Sequence, residues 1–179
     1  MATPGFSADL AAEWLRKVRP TWYSAVPTVQ HLMLRHAEPH RCTVQLVRNC
    51  SAVLLPSVAE SLEAAFGCVV MPTYASAGSM PTTSNPRGKG RVLRSVGLAA
   101  GPEVRLLRDG GSPAGWEGGE VCVRGACVAA VCDSTTQAAE GPEGSYFVGG
   151  ARWLRTGDNG IVDGAGNLSL GGRFREMAL

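Results

Sequence analysis

The sequence lacks the features of several large protein classes. No stretch of its 179 residues approaches the ~20 consecutive apolar residues of a membrane helix, so no membrane span is predicted. Residues 1–6 hold no charged segment followed by an apolar run, so no secretory signal is predicted either. The net charge is only +2, and the basic residues are scattered, which argues against a nucleic-acid partner. We therefore expect an intracellular protein, cytoplasmic by default, with the compartment left open.

The six cysteines lack the spacing of a metal site. No CxxC or CxxH pair occurs, and the even spacing of the last three cysteines matches no common zinc pattern. A free thiol beside an apolar run acts as a small hydrophobe. Four of the six lie within or beside apolar β-like runs: Cys42, Cys50, Cys68 and Cys122. We predict reduced structural cysteines rather than disulfides or a metal framework.

Common catalytic motifs are missing as well. The sequence contains no G-x-S-x-G, H-E-x-x-H or G-x-G-x-x-G segment. His36 and His40 have the spacing of two ligands on one helical turn, but Pro39 interrupts the helix between them. A surface or capping role is therefore favoured for these histidines over metal binding.

Residues 1–86 show an alternation of short β-favouring runs with helical patterns. The predicted helices are Ser7–Arg19 with Ser7 as its cap, Thr28–His36 with Pro27 as a candidate first residue, and Pro56–Phe66 with Gly67 as its C-cap. The predicted strands are Thr21–Val26, Thr43–Arg48 and Cys68–Met71. This alternation predicts a parallel βαβαβ sheet that binds ligands beyond the carboxyl ends of its strands. Those ends lead into Asn49–Ala52 and Pro72–Tyr74.

The composition changes after Pro86, and we predict one portion at residues 1–86 and a second at 87–179. Glycine and proline become frequent there, and short β-like pieces follow one another without a convincing helix. The pieces are Ser95–Leu98, Glu103–Arg108, Glu120–Arg124, Ser145–Val148, Arg152–Leu154, Gly160–Val162 and Asn167–Leu170. We expect a small antiparallel sheet or distorted barrel, with a turn at Asp163–Asn167 and a flexible loop at Asp133–Gly144.

Several short motifs occur in a fixed order along the chain. They are Arg19–Thr28, Leu55-Pro56, Pro72–Tyr74, Ser95–Gly97, Gly119–Gly125, Thr156-Gly157-Asp158 and Gly172–Glu176. In this order they resemble, nearly end to end, the later part of the large domain of adenylate-forming, AMP-binding acyl-CoA synthetases and related adenylation domains. The resemblance implies an α/β fold whose parallel portion is followed by the β-rich one. It also implies conversion of a carboxylic acid and ATP to an acyl-adenylate, then to a thioester of CoA or a carrier protein.

The resemblance also assigns a nucleotide site. Tyr74 stacks on adenine, Asp158 accepts hydrogen bonds from the ribose hydroxyls, Arg173 approaches the ribose or phosphate, and Arg175 occupies the hinge position. The turn after the second strand adds three candidates: Asn49, Ser51 and Ala52. The ordinary alternatives are a loop aromatic for Tyr74, a turn former for Asp158 and solvated tail residues for the arginines.

Other parts of the family pattern are absent. Ala77 and Gly78 occupy the positions where the family has a phosphate-contacting Ser or Thr and a Mg²⁺-binding Glu, although Ser76 or Ser79 could supply a hydroxyl if the loop shifted. There is no Ser/Thr/Gly-rich phosphate loop ending in lysine, and the chain stops at Leu179, before the expected lysine-bearing domain. We predict weak or vestigial binding of ATP or AMP, with Mg²⁺ bound in intact relatives and no activity of this chain alone.

Two functional hypotheses remain open. The chain is either a partial acyl ligase, active only with other segments, or a non-catalytic nucleotide-binding or interaction module on the same scaffold. Its expected partners are a nucleotide and, in an intact assembly, an acyl substrate with CoA or a carrier protein. An open edge of the parallel sheet invites pairing with another chain, so we also expect self-association or a companion segment.

Overall fold

A computed structural model of the protein describes residues 7–36, 43–76, 78–108, 111–115, 118–129 and 145–173. The chain divides into two compact units. One consists of Met1–Pro72 with Arg87–Arg94, and the other of Thr73–Pro86 with Ser95–Leu179. The division at residue 86 that the composition suggests stays a prediction about domain organisation.

The first unit is the expected parallel α/β portion. Strand β1 pairs with β2 in parallel, and β2 pairs in parallel with the beginning of β3, as the alternation of strands and helices predicts. The elements are α1 (Ala8–Val18), β1 (Trp22–Ala25), α2 (Pro27–His36), β2 (Leu46–Asn49), α3 (Pro56–Phe66) and β3 (Val69–Ser76).

Helix α3 has the boundaries that its sequence predicts. It begins at Pro56, whose missing N–H is not needed in a first turn, and it ends before Gly67. Gly67 adopts the left-handed conformation at a φ of 63°, and its N–H donates to the carbonyl of Glu63 at 2.9 Å. The predicted capping of α1 by Ser7 is wrong, because the Ser7 side chain makes no cap hydrogen bond; its backbone carbonyl accepts from the N–H of Ala11 instead.

A buried glutamine joins the carboxyl ends of the neighbouring parallel strands β1 and β2. Gln30 Nε2 donates to the carbonyls of Ala25 at 3.2 Å and Arg48 at 3.4 Å, and Gln30 Oε1 accepts from the Tyr23 hydroxyl at 2.9 Å. The surrounding core is apolar and centres on fully buried Val47, Leu62 and Val70. Because a buried amide needs its hydrogen bonds, these contacts fix where β1 and β2 end.

The second unit is the expected antiparallel portion. The end of β3 pairs with β4, and β4 pairs with β5; a further sheet has the order β10-β9-β7-β6, with β8 on β9. The remaining elements are β4 (Ser79–Ser84), β5 (Leu98–Ala99), β6 (Glu103–Leu107), β7 (Gly119–Arg124), β8 (Ser145–Val148), β9 (Ala151–Val162) and β10 (Leu168–Arg173). The predicted turn at Asp163–Asn167 joins β9 and β10.

Several boundaries in this unit differ from the expectation. Two predicted pieces, Arg152–Leu154 and Gly160–Val162, are the two ends of the single strand β9. Strand β3 continues to Ser76, and β4 was not predicted, because Pro72 and Pro81 make these runs look unlike strands. Pro81 is tolerated in β4 because it lies between Ser79 and Thr83, where the ladder between β3 and β4 is irregular.

The sheet that contains β7 and β9 buries side chains on both faces. One face packs Val121, Val123 and Leu168 into an apolar cluster. The other face buries Trp153, and the guanidinium groups of Arg105 and Arg124 each lie 4.9 Å from its ring centroid. Within the described residues, no helix has the length and apolar character needed to cross a membrane.

Candidate functional site

The centre of the site is a bulge in strand β9 formed by the Thr-Gly-Asp motif. Glu120 pairs with Asn159 and Cys122 pairs with Arg155, so one residue of β7 lies opposite three residues of β9, Thr156-Gly157-Asp158. Gly157 has a φ of 76°, which a residue with a side chain adopts only under strain. Such a bulge interrupts the backbone ladder at the residues beside it, and Asp158 is one of them.

Side chains replace the backbone ladder that the bulge interrupts. The Thr156 hydroxyl donates to the carbonyl of Val121 at 2.8 Å and accepts from the N–H of Asp158 at 3.2 Å. The N–H of Gly157 donates to Glu120 Oε1 at 3.1 Å. The other carboxylate oxygen of Glu120 accepts from Arg155, with both Nε and Nη2 at 2.7 Å. The bulge is therefore held by a buried ion pair and one hydroxyl.

Asp158 lies between two further side chains. The Tyr74 hydroxyl donates to Asp158 Oδ2 at 2.5 Å, and Arg173 Nε lies 3.3 Å from Asp158 Oδ1. Arg173 faces Asp158 directly in the β9–β10 ladder, after an irregularity between Leu170 and Gly172. The structure thus brings three of the six predicted site residues together.

Tyr74 belongs to the interior of the second unit. It is only 7% exposed and packs in the cluster that contains Val121 and Leu168. Burial, followed by the negative charge of Asp158, raises the pKa of the Tyr74 phenol well above its ordinary value of 10.0. The hydroxyl is therefore a permanent hydrogen-bond donor at neutral pH. Its stacking on adenine stays a prediction.

The other three predicted residues lie in the first unit, in the turn that follows β2. Asn49 is buried, and its Nδ2 donates to the carbonyl of Ala52 at 2.9 Å. Ser51 has a φ of 71°, so the turn passes through the left-handed region at a residue that is not glycine. Asn49 thus stabilises the turn with its own side chain. A nucleotide role for Asn49, Ser51 and Ala52 stays a prediction.

The thiol beside the bulge is not reactive. Cys122 is fully buried opposite Arg155, and burial, then the charge of Glu120, raises the pKa of its thiol to about 12. A protonated thiol is a poor nucleophile. Cys50, Cys68, Cys122 and Cys127 are all free in the structure, as expected for reduced cysteines.

Comparison with known proteins identifies the family. Residues 1–131 match the family described as AMP-binding enzyme. The chain belongs to the AMP-binding enzyme family. This membership covers the parallel portion and β4 to β7 of the antiparallel portion, and it agrees with the order of motifs in the sequence.

Individual relatives of the AMP-binding family extend the match. The chain is 35% identical over 181 residues to "Probable CoA ligase CCL9" of Humulus lupulus, covering 96% of this chain and 33% of that protein. It is 34% identical over 180 residues to the oxalate–CoA ligase of Arabidopsis thaliana, covering 96% of this chain and 34% of that protein. The chain therefore spans about a third of the length of these curated relatives.

Solved structures agree on the fold. ATP-bound MatB from Rhodopseudomonas palustris superposes with a TM-score of 0.80 at 24% identity, covering 96% of this chain and 34% of that one. A likeness at this identity establishes the fold, and it matches the expected α/β arrangement of a parallel portion followed by a β-rich one.

The hairpin between β3 and β4 departs from the family pattern. Gly78 offers no carboxylate, and the described residues contain no group of three His, Cys, Asp or Glu side chains that could hold a metal ion. A glycine at position 78 therefore supplies no side-chain oxygen to a Mg²⁺ ion. Ser76 and Ser79 have buried hydroxyls that make no hydrogen bond to the described residues. Their contact with phosphate stays a prediction.

Some predicted residues cannot be placed. Ala77 and the hinge residue Arg175 lie outside the described residues, as do His40, Cys42 and Cys132. The predicted loop Asp133–Gly144 lies outside them as well.

Two residues of the site were missed in the sequence. Glu120 and Arg155 hold the bulge that carries Asp158. A signal was available: Glu120 opens the run Val121-Cys122-Val123, where an acid needs a partner, and Arg155 directly precedes the Thr-Gly-Asp motif.

We predict that removing Glu120 destabilises the protein much more than removing a surface glutamate of the same sheet. The side chains of Glu120 and Arg155 are 4% and 14% exposed, so Glu120→Ala removes from a buried site the carboxylate to which the Arg155 guanidinium and the N–H of Gly157 both bond. The expected loss in unfolding free energy is about 3–5 kcal/mol.

The matched control is Glu103→Ala. Glu103 pairs with Arg124, but its side chain is 54% exposed, and an exposed pair contributes at most about 1 kcal/mol. Equilibrium urea unfolding of both variants measures the difference. Equal losses would show that the buried pair does not hold the bulge.

Proposed function

We propose that the chain is part of an adenylate-forming acyl ligase and that Asp158 holds the ribose of AMP or ATP. The observation that carries this proposal is the bulge of β9, which presents the Asp158 carboxylate beside Tyr74 and Arg173. The Thr-Gly-Asp motif thus has a structural reason to contain each of its three residues. Thr156 and Gly157 form the bulge, and Asp158 is the side chain that the bulge presents.

The chemistry of Asp158 suits a ribose diol. An ionised carboxylate has about four acceptor positions, and Tyr74 and Arg173 use two of them. The remaining positions can accept two hydroxyl groups, and such bonds to a charged acceptor are stronger than neutral ones. The side chain of Asp158 is 16% exposed, which leaves a ligand access to it while the surrounding protein limits competition from water.

Arg173 suits the phosphate side of the nucleotide. Its side chain is 69% exposed, and its contact with Asp158 is long at 3.3 Å. A contact of this kind is weak and can be exchanged for another anion. We assign Arg173 to neutralising the charge of a nucleotide phosphate, with Asp158 as its partner in the free protein.

For the intact protein, we propose activation of a carboxylic acid with ATP to an acyl-adenylate, followed by transfer to CoA. Support comes from the two relatives at 34–35% identity, both named CoA ligases, which favours CoA over a carrier protein as the acceptor. The acid in one of these names is oxalate, a small dicarboxylate. The chain spans about a third of such proteins, so the complete reaction is a property of a larger assembly.

We propose that the 179 residues alone do not carry out this reaction. They lack the lysine-bearing phosphate loop and the metal-binding acid that stabilise negative charge on the phosphate groups. They include no Ser/Thr/Gly-rich loop ending in lysine, and Gly78 replaces the family's metal-binding acid. Electrostatic stabilisation is usually the largest single contribution to such a reaction. Nucleotide binding without turnover is the activity that the described site supports best.

The second candidate is an interaction module, with this chain associating with itself or with a companion segment. Helix α1 carries Leu10, Trp14 and Val18 on one exposed stripe, while Ala11 and Leu15 pack against the core. Strand β1 is an edge strand, because within the described residues it pairs with β2 alone, and it exposes Trp22. An exposed apolar stripe next in sequence to an open strand edge favours association.

We predict that the chain binds AMP at millimolar concentration and that Asp158→Ala weakens binding about tenfold or more. The reason is the loss of hydrogen bonds to a charged acceptor, worth about 1.5–3 kcal/mol. The control is Asp163→Ala, which removes an aspartate of the neighbouring turn whose carboxylate bonds to Ala165 and Asn167. Titration calorimetry on folded protein decides the matter. Absence of AMP binding, or an equal loss in both variants, would show that Asp158 is a turn residue only.

We predict that the isolated chain does not catalyse acid-dependent exchange of pyrophosphate into ATP, with oxalate or another carboxylic acid. Restoring Ala77→Thr and Gly78→Glu together does not rescue exchange, since the phosphate loop is still missing. The measurement is incorporation of labelled pyrophosphate, with an active acyl-CoA synthetase as positive control and denatured chain as background. Exchange clearly above that background would contradict the prediction.

We predict that the chain self-associates at micromolar concentration through the stripe on α1. Trp14→Glu places a charge at the centre of the stripe and shifts the chain toward monomer, because burying an unpaired charge is costly. The control is Ile161→Glu, which changes an exposed apolar residue of β9 in the second unit. Sedimentation velocity over a concentration series measures the mass. A single monomer at every concentration would exclude association.

A further inference from the structure

We propose that the hydroxyl of Tyr74 is a positioning group, which fixes the Asp158 carboxylate in the orientation that receives the ribose hydroxyls. This inference rests on the proposed ribose-binding function. It adds to the stacking role that the family resemblance implies for the ring, because it assigns a separate task to the hydroxyl. The two tasks are distinguishable, since phenylalanine keeps the ring and loses the hydroxyl.

The hydrogen bond itself has the geometry of a strong one. The distance from the Tyr74 hydroxyl to Asp158 Oδ2 is 2.5 Å, at the short end of the range for a hydroxyl donating to an ionised oxygen. The two residues are 84 positions apart in sequence, so the bond joins β3 to the bulge of β9 within the second unit. A contact between such distant elements has no role in local turn formation. The bond instead restrains the position of the Asp158 carboxylate.

Tyr74 is a rigid donor. Its side chain is only 7% exposed and packs against a cluster that includes Val121, Leu154 and Leu168. A buried ring in a packed cluster occupies one rotamer, so the hydroxyl has a fixed position. The raised pKa of the phenol, caused first by burial and then by Asp158, keeps the proton on the donor at neutral pH.

Arg173 cannot perform the same task. Within the described residues, Tyr74 and Arg173 are the two side chains that bond to the Asp158 carboxylate. Arg173 is 69% exposed and lies 3.3 Å from the other oxygen, so its contact is longer and open to water. The hydrogen bond from the Asp158 N–H to Thr156 fixes the backbone but leaves the side-chain rotamer free. The rotamer is therefore set by Tyr74.

A fixed carboxylate raises affinity because less freedom is lost when the ligand binds. Groups held within a few tenths of an ångström by packing and a second hydrogen bond bind better than mobile ones. Removing the Tyr74 hydroxyl should weaken ribose binding by up to about tenfold, the size expected when one more side chain has to be immobilised on binding. The loss should concern the ribose hydroxyls specifically.

The experiment uses Tyr74→Phe in the full 179-residue chain, with AMP and 2′,3′-dideoxy-AMP as the two ligands and calorimetry as the readout. We expect AMP to bind up to about tenfold more weakly to the variant and the dideoxy ligand to bind unchanged. We expect no further loss when Tyr74→Phe is added to Asp158→Ala, because the hydroxyl then has no carboxylate to position. The matched control is Tyr23→Phe, which removes a hydroxyl that donates to Gln30 in the first unit.

Each other outcome overturns the inference. Unchanged AMP binding by Tyr74→Phe, or equal losses for both ligands, would leave the hydroxyl without a positioning role while the ribose function stands. Absence of AMP binding by the unmutated chain would overturn the ribose function and the inference together. If Tyr74→Phe does not fold, tyrosine labelled with ¹³C at Cζ replaces it. AMP must then shift the Tyr74 Cζ signal and dideoxy-AMP must not, and no difference between the ligands overturns the inference.

Discussion

The ion pair between Glu120 and Arg155 is the interaction on which the site depends. Burying two charges in a β-sheet is costly, and their attraction offsets that cost only when the geometry is good and the remaining atoms are bonded. Here one carboxylate oxygen meets two nitrogens of Arg155, and the other accepts from the N–H of Gly157. The pair therefore does more than neutralise charge. It replaces the ladder hydrogen bonds that the bulge has lost and so defines one local backbone.

The defined backbone explains how a short motif presents an acid. The bulge adds two residues to β9, and Gly157 in its middle lies in the left-handed region. An even number of extra residues keeps the alternation of the strand, and Asp158 lies on the face that carries Leu154 and Tyr74, where it bonds to Tyr74 and Arg173. The position of the Asp158 carboxylate, between Tyr74 and Arg173, is therefore a consequence of the geometry of β9. The same geometry requires a hydroxyl at Thr156, which satisfies the carbonyl of Val121.

Sequence reasoning succeeded where the determinants are local. The start and end of α3, the left-handed Gly67 and the turn at Asp163–Asn167 each follow from a few neighbouring residues, and all are present. Apart from the Ser7 cap of α1, which is a local prediction that is wrong, the failures concern contacts between distant residues. Whether β3 continues past Pro72 depends on its partner β4, and the pairing of Glu120 with Arg155 spans 35 positions. Which apolar residues of α1 are buried is likewise set by contacts distant in sequence: Leu15 packs against the core, whereas Leu10 and Trp14 are exposed.

The ribose end and the phosphate end of an adenylate-forming site have different physical requirements. A ribose needs a few acceptors held on a rigid sheet, whereas a triphosphate needs cations and a cradle of donors. Glu120, Arg155 and Thr156 stabilise the bulge through contacts within the sheet, so they contribute to folding whether or not a nucleotide binds. Their presence is evidence for the fold. Asp158 is different, because its carboxylate is not needed to close the bulge; it bonds instead to Tyr74 and to an exposed arginine. An acid kept at that position beside a buried donor is therefore the feature that argues for a ligand.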